Sequence, residues 1–249
     1  MKKGPKRVLV TGSSRGIGRA IALRLAKEGW KVAVHYGADA DEAERVGHEL
    51  GKSVSGLYQA DLSHPEKAGR LVEDVLKDGP LNARVNNAGV YIPLDFLAAS
   101  QAVFSANWHR TIAVNFESPV MMIRAAARHF AKHGGGKVLN VASRVGFRGE
   151  GGAAIYAASK SALINVTRSL AVELAPKNIQ LYGIAPGWVD TAMSREGMKE
   201  RMESILETIP VGRMASPDDC AGAAAFLLSP DADYLSGVVI DINGASYFH

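Results

Sequence analysis

Short apolar, β-branched runs alternate with longer amphipathic stretches along all 249 residues, and no other feature limits the fold so strongly. Residues 7–11, 31–35, 54–58, 83–86, 137–142, 179–184 and 238–242 read as seven strands. Most are apolar on both faces, as parallel strands are when helices cover them above and below. Residues 16–28, 40–50, 65–77, 107–133, 153–175 and 217–228 read as the helices between and beyond them. This order predicts an α/β, doubly wound parallel sheet with right-handed crossovers. No linker or repeat divides the chain, so 1–249 is expected to form a single domain.

Helix starts are marked locally. Ser63-His64-Pro65-Glu66 offers an N-cap serine with a capping-box glutamate, and Ser216-Pro217-Asp218-Asp219 repeats the pattern. One interval breaks the rhythm. Residues 187–214 are far longer than the usual connection of about 2–6 residues, and they carry the amphipathic set Met193, Met198, Met202, Ile205, Leu206 and Ile209. A substrate lid is expected there.

Composition excludes several classes. The one cysteine, Cys220, permits no internal disulfide and fits a reducing compartment. A net charge of +4 without a basic run beyond the N-terminus gives no footing to nucleic-acid binding. The first apolar run, Val8-Leu9-Val10, is too short for a signal-peptide core, and no stretch of about 18 apolar residues exists, so a soluble cytoplasmic protein is expected.

Thr11-Gly12-Ser13-Ser14-Arg15-Gly16-Ile17-Gly18 follows the first strand and opens the first helix. Glycines at that junction allow a tight turn and bring backbone N–H groups to a pyrophosphate at the helix N-terminus. The spacing lacks the Gly-Lys-Ser/Thr ending of a nucleoside-triphosphate loop. Further along, Tyr156 and Lys160 stand four apart in a helical stretch and project from one face, with Ser143 thirteen residues earlier at the end of the fifth strand. A nearby ammonium, together with a positively charged oxidised nicotinamide, is expected to lower the tyrosine pKa and fit it for proton exchange with an alcohol or carbonyl.

Together with Asp61-Leu62, Asn86-Asn87-Ala88-Gly89, Asn115, Pro186-Gly187 and Thr191, these motifs make the chain resemble the short-chain dehydrogenase/reductase family from Val8 to Gly244. The resemblance implies a Rossmann sheet of order 3-2-1-4-5-6-7 with helices on both faces. It implies an oxidoreductase that interconverts a carbonyl and a secondary alcohol by hydride transfer to or from a nicotinamide cofactor. Gly12, Ser14, Arg15, Gly16, Ile17 and Gly18 would hold the pyrophosphate side, Asp61 and Leu62 the adenine, and Asn87, Ala88 and Gly89 the adenosine wall. Val189 and Thr191 would hold the nicotinamide carboxamide, with Pro186 and Gly187 also binding the cofactor. Tyr156 would be the acid/base, Ser143 the stabiliser of the substrate oxygen, Lys160 the ribose ligand, and Asn115 the anchor of a water relay.

Cofactor choice is a charge question. No acid stands at the end of the second strand, where one would bind a free ribose 2′-hydroxyl, and Arg15 can pair with a 2′-phosphate. NADP(H) is therefore preferred, with Asp39 and Asp41 keeping NAD(H) open. Tyr91, Ile92, Pro93, Arg144, Phe147, Trp188 and Met193 are expected to face the substrate.

The wider pattern looks most like bacterial 3-oxoacyl-[acyl-carrier-protein] reductases, which implies an acyl thioester on an acidic carrier met by Lys132, His133 and Lys177. A dehydrogenase of a small sugar, polyol or cyclic alcohol is the alternative, and a cofactor sensor without turnover a third reading. The resemblance also implies a homotetramer packed through 107–133 and 153–175, the latter carrying Ala157, Ala158, Ser161 and Ala162.

Other features are read as structural. His129 and His133 have metal-ligand spacing but no third ligand, and Ser143 lacks the Gly-x-Ser-x-Gly setting of a hydrolase, so no metal and no triad are expected. Arg84 is a misfit on an inner strand, where it should snorkel or pair with an acid.

Overall fold

Parallel neighbours need a crossover between them, and every interval between strands here is long enough to supply one. In the computed structural model, residues 5–195 and 202–249 are described; Met198 of the expected lid and the Met193 side chain lie outside what is described. The strands are β1 Arg7–Val10, β2 Lys31–Tyr36, β3 Val54–Gln59, β4 Ala83–Asn86, β5 Gly136–Val141, β6 Ile179–Pro186 and β7 Val239–Ile242. They form one seven-stranded sheet in the order β3-β2-β1-β4-β5-β6-β7, and all pairings are parallel. The expected order and strand positions are both found.

The helices are α1 Gly16–Lys27, α2 Ala40–Leu50, α3 Pro65–Lys77, α4 Gln101–Ile112, α5 Ser118–Lys132, α6 Ala154–Leu174, α7 Ala192–Arg195, α8 Met202–Glu207 and α9 Pro217–Leu228. The two-residue period of the strands sorts the core into two layers. Val8, Val10, Val32, Val34 and Val85 pack on Ile21 and Leu25 of α1, Val46 of α2 and Leu227 of α9. Leu9, Ala33, Val138 and Leu181 pack on Leu71 and Val75 of α3, Ile123 and Phe130 of α5, and Ala171 of α6. Each of the larger side chains contributes about 2 kcal/mol when fully buried, more than a typical surface ion pair. Because β1 lies between β2 and β4, the chain leaves it in opposite directions on its two sides, which opens a crevice at the carboxyl ends of β1 and β4. No described helix is long and apolar enough to cross a membrane.

Two local readings need correction. The expected helix 107–133 is three pieces: α4 starts earlier, at Gln101 under the Ser100 cap, and a π-helical turn, Ala113–Glu117, joins it to α5. The first turns of α4 were invisible because only Asn107 and Thr111 of that helix are buried, while Val103 and Trp108 are exposed, so no apolar stripe marks it. Nor does Ser63 cap α3. Proline fits the first helical position, which makes His64 the cap residue, and Ser63 turns back to donate from its N and Oγ to Asp61 Oδ1 at 2.9 and 2.7 Å. At α9 the spacing is right, and Ser216 and Asp219 form the complete capping box.

Arg84 neither snorkels nor meets an acid. It sits between Leu9 and Val138 in the sheet register and is fully buried. Its Nη2 donates to Asn86 Oδ1 and to Met122 Sδ, while Nε and Nη1 have no partner and no carboxylate among the described residues pairs with it. Burial pulls its pKa down to about 9. From Asn86 a chain of buried hydrogen bonds continues: Asn86 Nδ2 donates to Asn140 Oδ1 (2.7 Å), Asn140 Nδ2 to Thr167 Oγ1 (2.8 Å), and Thr167 Oγ1 to Leu163 O (2.7 Å). A buried cation without a counter-charge costs more than a well-packed apolar side chain of similar volume. Arg84→Met should therefore stabilise the fold by about 2 kcal/mol, read as a rise in Tm; an unchanged or lower Tm would show that the guanidinium is compensated after all.

Candidate active site

The glycine turn is held by side chains from the neighbouring strand. Thr11 Oγ1 donates to Val85 O (3.2 Å) and accepts from Asn87 N (3.0 Å) and Ala88 N (3.1 Å). Asn87 Nδ2 returns to Thr11 O (2.9 Å) and Gly12 O (3.0 Å). The ends of β1 and β4 are thus locked together. Gly12 has φ +60, where an L side chain is strained, and a Cβ on Gly18 would stand 2.3 Å from Gly12 O. Only glycine fits at Gly18, because the helix must approach the turn backbone to backbone.

Helix α1 has no side-chain cap: Arg15 occupies the N-cap position in extended conformation with its side chain exposed, whereas Asp39, Ser100 and Ser216 cap their own helices. The first N–H groups of α1 are left for an anionic oxygen at the positive end of the helix dipole. Ser14 is buried in the turn, Ile17 packs into the core, and the Thr191 methyl lies beside Gly16, 3.6 Å from where a Cβ would be. These features fit the pyrophosphate of a dinucleotide.

Sequence reasoning missed His35, at the end of β2. It is 2% exposed; its Nδ1 accepts from Gly12 N (3.0 Å) and its Nε2 donates to Ala60 O (3.1 Å). Its backbone is tied to Ser13 in both directions. A polar residue among the apolar residues of a buried strand was the available signal. Just past Ala60, Asp61 is exposed, and its hydrogen bonds from Ser63 hold its carboxyl below the usual carboxylate range. Leu62 is buried, and its carbonyl accepts from Ser118 Oγ (2.7 Å).

On the other side of the crevice, α6 carries Tyr156 and Lys160. Lys160 Nζ lies 5.7 Å from the centre of the Tyr156 ring and donates to Val141 O (2.8 Å). Asn115 sits in the π-helical turn; its Oδ1 accepts from Val90 N (2.8 Å), and its Nδ2 donates to Val90 O (2.9 Å) and Ser159 Oγ (3.2 Å). A Cβ on Gly89 would be 3.3 Å from Asn115 Oδ1 and 3.5 Å from Lys160 Nζ, so these three residues meet. The Ser143 hydroxyl is near enough to Tyr156 to bear on its pKa, and the Tyr91 ring packs edge-on against the Tyr156 ring with centroids 5.1 Å apart. Ser143, Tyr156, Lys160 and Asn115 are therefore gathered as expected.

In the protein alone, burial governs the protonation of this pair. Burial pushes the Tyr156 phenol up to about 12, with Tyr91 and Glu150 adding to the rise and the Ser143 hydroxyl opposing it. Burial also lowers Lys160 to about 8. Near pH 7 the resting pair is a neutral phenol beside an ammonium, because desolvation outweighs the attraction between the charged forms.

Toward the substrate side, Arg144 faces its own chain. It is 5% exposed, donates to Ser246 Oγ (2.8 Å), pairs with Glu150 at 3.5 Å and lies over the Trp188 ring. Phe147 stacks on His249 at 3.7 Å. Pro186 ends β6, Gly187 N donates to Ile242 O (2.9 Å), and Val189 is buried beside Ala215. Thr191 N donates to Ser194 Oγ (3.0 Å). Within 187–214, Ile205 and Ile209 form a small apolar cluster with Trp188, Met202 and Met214. His129, one of the two spaced histidines, accepts at Nε2 from Leu81 N (3.3 Å).

His35 gives the fold an acid limit. Its pKa falls from 6.5 to about 4, chiefly through burial, with the Arg84 charge acting in the same direction. Between those values the unfolded chain binds the proton first, so stability is intact above the unfolded pKa and declines as pH falls toward the folded one. The loss should reach roughly 3 kcal/mol. His35→Gln, which does not titrate, should flatten the decline in urea-unfolding free energy from pH 7 to pH 4; an unchanged slope would assign the acid limit to other groups.

Comparison with known proteins agrees with this geometry. A family model described as enoyl-(acyl carrier protein) reductase matches residues 12–245. The human protein named dehydrogenase/reductase SDR family member 4 is 37% identical over 246 residues, covering 97% of this chain and 87% of that protein. The Staphylococcus aureus 3-oxoacyl-[acyl-carrier-protein] reductase FabG is 36% identical over 248 residues, covering 98% and 99%. Among solved structures, a blue fluorescent protein from a metagenomic library, crystallised in complex with NADPH, superposes with TM-score 0.89 at 31% identity and 98% coverage of both chains. With this coverage and the same sheet order, the chain belongs to the short-chain dehydrogenase/reductase family of oxidoreductases.

Proposed function

We propose that the chain is an NADP(H)-dependent reductase that converts the carbonyl of a 3-oxoacyl thioester into a secondary alcohol. The observation that carries this reading is the meeting of Tyr156 and Lys160 on α6, with the Lys160 Nζ 5.7 Å from the Tyr156 ring centre and Gly89 and Asn115 beside it. A protonated phenol gives its proton to a carbonyl oxygen during reduction, and the phenolate takes one from the alcohol during oxidation. Ser143 donates to the same oxygen as negative charge develops there. The bound nicotinamide supplies the hydride. Lys160 draws the phenolate's charge as it forms and holds the ribose hydroxyls, and Asn115, braced on Val90, supports the water path that returns a proton.

The phosphorylated cofactor is favoured by charge. Arg15 is exposed at the mouth of the glycine turn, and the Asp39 carboxylate is committed to capping α2 through Glu42 N (3.0 Å) rather than to a ribose hydroxyl. The turn shaped by Gly12 and Ser14 brings Gly16, Ile17 and Gly18 to the pyrophosphate, Asp61 and Leu62 face the adenine, Asn87, Ala88 and Gly89 wall the adenosine, and Pro186, Gly187, Val189 and Thr191 receive the nicotinamide end. Residues 187–214 act as the lid.

An acyl chain on a carrier protein is common to the names of the matching family model and the bacterial relatives. Lys132, His133 and Lys177 offer the cations such an acidic carrier would meet. Assembly into a homotetramer is supported by α6, where Ala154, Ala158 and Ser161 lie on an exposed face with Val172.

Activity should appear as loss of NADPH absorbance with acetoacetyl thioesters and stay low with sugars, polyols and cyclic alcohols; the reverse pattern would overturn the substrate class. Tyr156→Phe should lower kcat by about 1000-fold while NADPH still binds. Arg15→Ala should narrow the preference for NADPH over NADH by about tenfold; an unchanged ratio of kcat/KM would remove Arg15 from phosphate recognition.

A further inference from the structure

Two separate loops build the adenosine end of the proposed dinucleotide site: the glycine turn after β1 and the Ala60–Asp61–Leu62 segment after β3. Between them lies β2, so neither loop touches the other through the sheet ladder. The His35 side chain spans that gap. Its Nδ1 takes the Gly12 N–H at 3.0 Å and its Nε2 reaches Ala60 O at 3.1 Å. We infer that His35 is a positioning residue for the cofactor, a neutral imidazole strut that fixes the separation of the glycine turn and the adenine-side loop; the inference rests on the dinucleotide reading of this crevice.

The chemistry of the ring allows one arrangement. Nδ1 accepts, so the proton must sit on Nε2, where the Ala60 carbonyl receives it. A protonated ring would turn an N–H against the Gly12 N–H and break the strut. Burial and the Arg84 cation on β4 both disfavour that form. The ring also consumes the Gly12 amide, so the phosphate-facing donors are those of the α1 N-terminus rather than of the turn's first glycine. Gly12 is held at φ +60 against the Ala88 backbone, with a would-be Cβ 3.0 Å from Ala88 Cα. Removing the strut frees this residue from one side only and leaves the Thr11–Asn87 lock in place. The adenosine end should loosen, while the nicotinamide end, built on α6 and β6, keeps its geometry.

The test is a pair of variants in the full-length chain, assayed well below the Tm of each. His35→Leu removes both hydrogen bonds, and His35→Gln keeps an acceptor and a donor on one side chain. His35→Leu should raise the Kd of NADPH and of 2′-phospho-ADP-ribose by about tenfold or more. Its kcat at saturating cofactor and its KM for the carbonyl substrate should stay within about twofold of wild type, because uniform loss of ground-state binding leaves the chemical step intact. His35→Gln should recover most of the affinity. If the leucine variant does not fold, His35→Asn, too short to reach both partners, should show the same rise in Kd. Wild-type affinity in the leucine or asparagine variant, or an equal loss in kcat and carbonyl KM, overturns the strut. Failure of the wild-type chain itself to bind any nicotinamide dinucleotide overturns the reading of the crevice, and the inference with it.

Discussion

The site depends on how closely the backbone after β1 can approach the backbone after β4. Thr11 and Asn87 each bond the other's main chain, and the contact leaves room for no side chain at Gly18. This approach sets the crevice width at the sheet's switch point. From it follow the exposed N-terminus of α1, the position of Gly89 against Asn115 and Lys160, and the entry of Thr191 beside Gly16. A lock built from a hydroxyl and an amide tolerates little change, since a lost partner would leave several buried backbone groups unsatisfied.

The second constraint is a break in helical register. An uninterrupted helix from α4 to α5 would keep its i to i−4 bonds through Asn115; the π turn inserts an extra residue there and swings the amide toward Val90. Two hydrogen bonds to one backbone unit then fix the loop that carries Tyr91 against Tyr156. Structural irregularity and chemistry coincide at this point, as they often do in helices that serve an active site.

Much of this was readable from residue order. Inner strands such as β1, β2 and β6 announce themselves through apolar runs buried on both faces, whereas the edge strand β3 does so only weakly. The motif residues around the crevice also come together, because each sits at a strand's carboxyl end or on α6. What escaped reading has physical causes. Helix α4 buries almost nothing apolar, so periodicity could not mark its start. The Tyr156 pKa is decided by desolvation, a property of three-dimensional enclosure that spacing to Lys160 does not carry. His35 and Glu150 act through partners more than twenty residues away or through the catalytic ring; a polar residue in a buried strand marks His35 without naming its partners, and no local pattern flags Glu150. Ser63 failed as a cap by a single position, since proline dictates where the first helical residue falls.

The buried amide chain from Asn86 through Asn140 to Thr167 has a polarity: every donor points toward α6 and every acceptor back toward β4. Neither amide can flip without placing like against like, so the chain acts as a one-way key that admits α6 at a single angle about its axis. Tyr156 and Lys160 ride on that same helix, roughly three and two turns before Thr167 respectively. One residue inserted between them and the keyed threonine would rotate both by about 100° out of the crevice, whereas the same insertion beyond Leu174 would leave them in place. Evolution of new specificity on this scaffold is thereby steered to the loops around α6 and away from the helix itself.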